Sequence, residues 1–262
     1  MPLFATIWPW IGLGAAGLLI VLLACGDGLQ ANRTISRWID MTWLTWLGVA
    51  LTLLHQFEAH GIDLFGRPYA FRGALCAELS FRDAIACPVP LGFITAANVA
   101  GVWIAGLLAA LLAPRRPLLG LSFFAVPLVN IFAHAGPAIL TLRYNPGLLS
   151  AASLLVPLCL WVLAVAVRRH EAGLRALGLV VASGIVVQAI VLGSLTAYLR
   201  GFIGAEVLVA IQIANAMVPL AVMYLGLPRP RVPASPARAP SSVPSSKPPR
   251  RRAPRQTPAP QE

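Results

Sequence analysis

The stretch MTWLTWLGVALTLLHQFE, Met41 to Glu58, is apolar over almost the length of a membrane crossing and ends in His55, Gln56 and Glu58. A histidine and a carboxylate three residues apart share one face of a helix. Ionisable groups inside membrane spans are expensive and mark functional sites. This run therefore sets the environment and points to a site within it. A second apolar stretch, Leu118 to Leu140, repeats the theme with Asn130 and His134 four residues apart.

The rest of the chain has the same character. Of its 262 residues 58% are hydrophobic and only 11% charged, and the mean hydropathy of +0.78 excludes an ordinary soluble domain. Runs of about 18 or more apolar residues fall near 5–24, 40–57, 91–113, 118–140, 148–167, 176–199 and 205–226. Lipid cannot satisfy exposed backbone groups, and the alternating short segments of a barrel are absent, so each run reads as a helix. The expected fold is all-α: a polytopic transmembrane helical bundle of about seven spans over residues 1–227. Pro127, Pro137, Pro157 and Pro219 predict kinks or helix ends.

Lys and Arg in alternate loops set orientation. With the C-terminus inside, Arg33, Arg37, Arg115, Arg116, Arg168, Arg169 and Arg175 fall inside, against Arg67, Arg72, Arg82, Arg143 and Arg200 outside. The segment 228–262 decides the balance. It holds eight of the 20 basic residues, a single acid and many prolines, and so predicts a disordered cytoplasmic tail lying near anionic lipid. Its Pro230, Pro233 and Pro236 spacing offers a docking motif as the lesser alternative, and no nucleic-acid partner is expected. Leu22 to Cys25 loosely resembles a lipoprotein cleavage box, but Met1 to Trp10 lacks the basic residues of a signal peptide, so the first run is kept as a span. The chain thus reads as a multi-pass protein of a bacterial cytoplasmic membrane, with its N-terminus outside.

The longest loop, 60–90, carries Cys76 and Cys87 on the side assigned outside, where a disulfide persists. Closing that loop is worth roughly 3 kcal/mol in the chain-entropy model. Cys25 and Cys159 read as small buried hydrophobes.

The same topology gathers polar residues of five spans at the outer boundary: His55 and Glu58, Asn98, Asn130 and His134, Tyr198 with Arg200, and Glu206. Gln188, Gln212 and Asn215 lie deeper, where they extend a polar path or bond between helices. A carboxylate near an imidazole makes an acid/base pair. Equally, His55, Glu58 and His134 are two imidazoles and a carboxylate, enough to hold zinc or iron.

LHQFE at Leu54 to Glu58, Asn98, NIFAH at Asn130 to His134, and RYNPG at Arg143 to Gly147 together resemble the HXXEE-domain family of bacterial membrane proteins, named for a His-x-x-Glu-Glu motif. The likeness covers about residues 45–165 and maps onto His55, Glu58, Asn130, His134, Arg143, Tyr144, Pro146 and Gly147. The second Glu of the motif is Ala59 here, followed by His60. If that carboxylate is a ligand or base, either His60 replaces it or the activity is lost. The family carries no settled biochemical role, so the resemblance implies a site without naming a substrate.

The first expectation for function is a membrane-embedded enzyme acting on a lipid or other apolar substrate. His55, Glu58, His134 and Asn130 form its catalytic group, Arg143, Asn98, Tyr198 and Glu206 contact the substrate, and membrane lipids surround it. A proton-coupled or small-molecule transporter and a structural membrane scaffold are the alternatives.

Overall fold

A computed structural model of the chain describes residues 3–82, 85–169 and 172–227. The basic tail expected from residue 228 onward lies outside the described residues. Among the described residues the protein is all-helical. Six helices are long and apolar enough to cross a membrane: α1 (Phe4–Cys25), α4 (Leu91–Leu112), α5 (Pro117–Thr141), α6 (Leu148–Arg169), α7 (Leu174–Leu199) and α8 (Ala205–Gly226). Between α1 and α4 stand α2 (Met41–His60) and the shorter α3 (Ala70–Glu78). All seven expected spans are thus helices, with ends within three residues of the expected ones. The chain is a multi-pass membrane protein.

The seventh long helix, α2, differs in kind. At 20 residues it reaches about 30 Å, but its threonines, His55, Gln56, Glu58 and His60 make it too polar for lipid. Thirteen of its 20 residues are buried, and it packs against α1, α4, α5 and α6. The fold is therefore a polar central helix wrapped by apolar ones. Thr45 and Thr52 donate to the carbonyls of Met41 and Gly48 at 2.7 and 2.8 Å, satisfying their hydroxyls within α2 itself. Gly48 permits the close approach of α5, since a Cβ there would lie 2.8 Å from the Phe124 ring.

In α1, buried Ala5, Trp8, Gly12, Ala16 and Leu23 fall on one helical stripe, while Leu18, Val21 and Leu22 face outward. Cys25 corrects an expectation: it is exposed, because it ends α1 beyond the stripe packed on α2, whereas Cys159 is buried. Trp43 Nε1 and Arg37 Nη1 both donate to the Leu23 carbonyl, tying the end of α1 to the start of α2.

Asp40 starts α2. Its Oδ1 accepts from Trp43 N at 2.9 Å, and its Oδ2 from Ala31 N and Asn32 N at 3.0 and 2.9 Å. Because Asp40 is buried, Asp40→Ala removes a helix cap and strands two loop N–H groups. The expected loss is about 2–3 kcal/mol, read by chemical denaturation of the purified protein.

Three of the four expected prolines follow irregular turns, while Pro137 lies inside the unbroken helical stretch Ala125–Thr141. Pro157 follows a widened π turn at Ala151–Leu155, Pro219 follows the break at 216–217, and Pro127 follows a tight turn at Leu121–Phe124. A second π turn, Val99–Ile104, begins just after Asn98.

The described residues of the segment 61–90 fold over the end of the bundle where α2 finishes and α4 begins. Asp63 organises its first turn, accepting from Phe65 N and Arg67 N at 2.9 Å and pairing with the Arg67 guanidinium at 2.6 Å. Burial opposes the charge of Asp63, but Arg67 and these N–H groups outweigh it and hold the carboxyl below its ordinary value. A disulfide joins Cys76 to Cys87, and Arg72 donates to the carbonyls of Val89 and Cys87. Cys76, Cys87 and Val89 pack with Phe93, Ile94, Leu195 and Leu208 into a core separate from the main one. That core fastens the segment to α4, α7 and α8.

Candidate active site

Glu58 lies one turn beyond His55 on α2 and meets the start of α6. Its Oε1 accepts from Tyr144 OH at 2.6 Å and Leu149 N at 3.1 Å. Its Oε2 accepts from Ser150 N at 2.6 Å and, very closely, from Ser150 Oγ. Leu149 and Ser150 open α6, so the carboxylate caps a helix N-terminus, where unpaired N–H groups and the helix dipole favour negative charge. Burial and the adjacent Glu58 carboxylate push Tyr144 up to about 12, which keeps the phenol protonated as a donor.

From Ser150 the network runs inward. Ser150 Oγ lies 3.0 Å from His55 Nδ1. Asn130 Nδ2 lies 3.1 Å from His55 Nε2 and 3.3 Å from His134 Nε2. His134 Nδ1 is 3.0 Å from Asn145 Oδ1, and Asn145 Nδ2 donates to Glu78 Oε1 at 3.1 Å. The two imidazoles meet edge to face, with ring centroids 4.7 Å apart.

One assignment of hydrogens satisfies the side-chain contacts of both imidazoles and leaves unfilled only the longer, 3.3 Å approach of Ser150 Oγ to the Gly147 carbonyl. Ser150 has a single hydrogen, and Glu58 takes it, so His55 Nδ1–H must donate to Ser150. His55 Nε2 is then an acceptor and receives one Asn130 hydrogen. The other Asn130 hydrogen goes to His134 Nε2, leaving His134 Nδ1–H to donate to Asn145 Oδ1. Both histidines are neutral and carry their proton on Nδ1. Their Nε2 lone pairs converge on one amide, and behind each stands a polar side chain leading to a carboxylate, Glu58 for one and Glu78 for the other.

Local backbone holds this arrangement. Gly147 has φ +93°, a left-handed conformation suited to glycine. A Cβ on it would lie 2.8 Å from His134 Cε1 and 3.0 Å from His55 Cε1, so both rings rest on its bare backbone. Tyr144 and Asn145 immediately before it reach Glu58 and His134, and the Phe71 ring from α3 packs against His134 at 5.8 Å.

Beside the network lies a cavity of about 370 Å³ between α2, α3, α4, α5, α7 and α8. Its volume is on the scale of small-molecule sites, and its lining is largely apolar. His55, Asn130 and Asn145 form part of its wall, together with Glu78, whose carboxyl is raised by partial burial against the opposing effect of the Asn145 hydrogen bond. Ser150 and Glu58 are not among the lining residues; they stand behind His55.

A family model described as "Protein of unknown function with HXXEE motif" matches residues 46–162. That segment is an HXXEE domain. No curated protein and no solved structure matches the chain. Every member of the network, from Glu58 to Glu78, falls inside the HXXEE domain, whereas the cavity wall supplied by α7 and α8 lies outside it.

The HXXEE domain places His55, Glu58, Asn130 and His134 in one network with Ser150, Asn145 and Glu78, which sequence reading did not single out. Asn145 stands within the RYNPG stretch, and Ser150 is a polar residue one turn into an apolar run. Glu78 offered no local signal. His60 does not supply the missing second carboxylate's place: its ring stacks between Trp8 and Phe71, at 5.2 and 4.7 Å. Ala59 is buried 3.1 Å from where a Cβ on residue 147 would sit. The second carboxylate of the network comes instead from Glu78, beside the Cys76–Cys87 disulfide.

The metal set His55, Glu58 and His134 does not converge. Both imidazoles turn Nε2 to Asn130, and all of Glu58's contacts lie on the far side of Ser150. Among the described residues, no group of three His, Cys, Asp or Glu side chains is placed to hold a metal ion. The residues expected to contact substrate divide. Asn98 lines the cavity and accepts from Gln56 Nε2 at 3.1 Å. Tyr198 instead donates to the Pro88 carbonyl at 3.2 Å, fastening the 61–90 segment. Arg143 and Glu206 are exposed, and neither lines the cavity.

Proposed function

We propose that the chain is a membrane-embedded enzyme acting on a lipid or other apolar small molecule, with His55 as general base. The observation that supports this reading is the polarity of the hydrogen-bond network: His55 stands in the cavity wall with its Nε2 lone pair held by the Asn130 amide, and its Nδ1–H is tied through Ser150 to the Glu58 carboxylate. When substrate displaces the Asn130 amide and gives its proton to His55 Nε2, the charge on the ring is stabilised through Ser150 by Glu58, the logic by which a buried carboxylate supports an imidazole base. His134, held through Asn145 to Glu78, positions the Asn130 amide against His55, and His55 itself returns the proton to the product. The membrane is the bacterial cytoplasmic one, and the 61–90 segment covers the site on its outer face.

The competing reading is a proton-coupled carrier. The polar residues that would line its deeper path, Gln188, Gln212 and Asn215, are uncharged, which favours binding over proton conduction. The test is complementation of a strain lacking this chain, with its lipids and small metabolites profiled by mass spectrometry. Wild type is expected to restore the pattern, and His55→Ala to lower product formation at least about 10²-fold. Rescue by His55→Ala equal to wild type would sink the enzyme reading, and a restored distribution of a chemically unchanged compound would favour the carrier.

A further inference from the structure

The far wall of the cavity carries two amides that the network does not use. Gln212 and Asn215 lie three residues apart on one face of α8, are only 1% and 4% exposed, and both line the cavity. Their orientations are fixed by their donors. Asn215 Nδ2 donates to the Val187 carbonyl at 3.0 Å. Gln212 Nε2 donates to Ser194 Oγ at 2.9 Å, and Ser194 must accept because its own hydrogen goes to the Val191 carbonyl. Both carbonyl oxygens, Gln212 Oε1 and Asn215 Oδ1, are left buried without a partner among the described residues.

A buried acceptor without a donor is costly, and two on one helix face beside a cavity form a built site for a hydrogen-bond donor. We propose that this pair binds the hydroxyl of a neutral, largely apolar alcohol whose body fills the cavity between α4, α5, α7 and α8. Charge decides between donor types. The ionisable groups lining the cavity, His55 and Glu78, belong to the histidine network, so an ammonium at Gln212 and Asn215 would be buried without a counter-ion, whereas a hydroxyl needs only acceptors. The alcohol is anchored by helices outside the HXXEE domain and extends toward His55 within it. The identity of the reacting end rests on the enzyme reading; the binding site does not.

The test uses the full chain in lipid nanodiscs and a long-chain alcohol bearing a diazirine on its alkyl chain, with labelled residues mapped by mass spectrometry after irradiation. Label is expected on cavity residues such as Val191 and Leu195, competed by 1-dodecanol at least about ten-fold better than by dodecane or dodecylamine. Gln212→Leu with Asn215→Leu is expected to erase that preference. Its thermal stability is expected to stay close to wild type, because removing two unfilled acceptors offsets losing the amide hydrogen bonds to Ser194 and the Val187 carbonyl. Label confined to the outer apolar surface, equal competition by dodecane, stronger competition by dodecylamine, or a preference that survives the double substitution would each overturn the assignment. Labelling of the wild-type chain and complementation by His55→Ala are read together to separate the two readings. Specific labelling beside full rescue by His55→Ala removes the enzyme and keeps the alcohol site, and the converse pair of results does the reverse.

Discussion

Gly147→Ala is expected to destabilise the protein by about 3 kcal/mol and to abolish function. Two effects add at this residue. An alanine in the left-handed region costs about 1–2 kcal/mol, and its Cβ would meet His134 Cε1 at 2.8 Å, His55 Cε1 at 3.0 Å and the Ala59 Cβ at 3.1 Å. Overpacking of that kind costs roughly a further 1–3 kcal/mol, and relief comes only by pushing the imidazoles off Asn130. The chain contains its own control. Gly201 also has a positive φ, +78°, but nothing lies within 4 Å of its Cβ position. Gly201→Ala should therefore lose only the backbone part and leave function intact. Denaturation of both variants separates strain from packing, and equal losses would show that the histidines do not rest on Gly147.

How far the fold and site can be read in the sequence follows from the range of the forces involved. Apolar runs of membrane length reflect the surrounding solvent, so the ends of the long helices lie close to where hydropathy placed them. What hydropathy does not convey is that α2 is the centre of the bundle: its threonines and polar end read as a weak span until its neighbours are seen to bury it. Within the site, His55 with Glu58 and Asn130 with His134 are visible because helical spacing is local. Ser150 is hidden because a serine in an apolar run has the same appearance whether it packs or bridges an imidazole to a carboxylate. Glu78 is hidden more deeply, since its approach to Asn145 depends on how the 61–90 segment folds back. The opposite error arises at Arg143, Tyr198 and Glu206. They share an end of the bundle with the site, but occupying one end does not fix which helix face a residue takes. Gln212 and Asn215 had two readings, a polar path or bonds between helices, and the structure contains a part of each: their N–H groups bond to α7, and their oxygens remain for the cavity.

The sharpest consequence of the network is chemical. Asn130→Asp keeps the side chain's shape and is expected to reduce turnover by about 10⁴-fold, the scale of an inverted histidine tautomer in a catalytic triad. An ionised aspartate at this position is acceptor-only. His55 and His134 would then have to present Nε2–H to it, which turns their Nδ1 lone pairs toward Ser150 and Asn145. Ser150 has one hydrogen for two acceptors, His55 Nδ1 and Glu58 Oε2, so one of them is left buried and unfilled. A protonated aspartate fares no better, because its single hydrogen serves only one imidazole. Asn130→Leu removes both hydrogen bonds without imposing a tautomer, and its loss should be smaller than that of Asn130→Asp, although leucine is the larger chemical change. Nitrogen NMR of histidine-labelled protein reads the cause directly. The wild type should show His55 and His134 protonated at Nδ1, and Asn130→Asp should shift both to Nε2. Nε2 protonation in the wild type would reverse the direction of every bond from Glu58 to Glu78, and with it the assignment of His55 as the base.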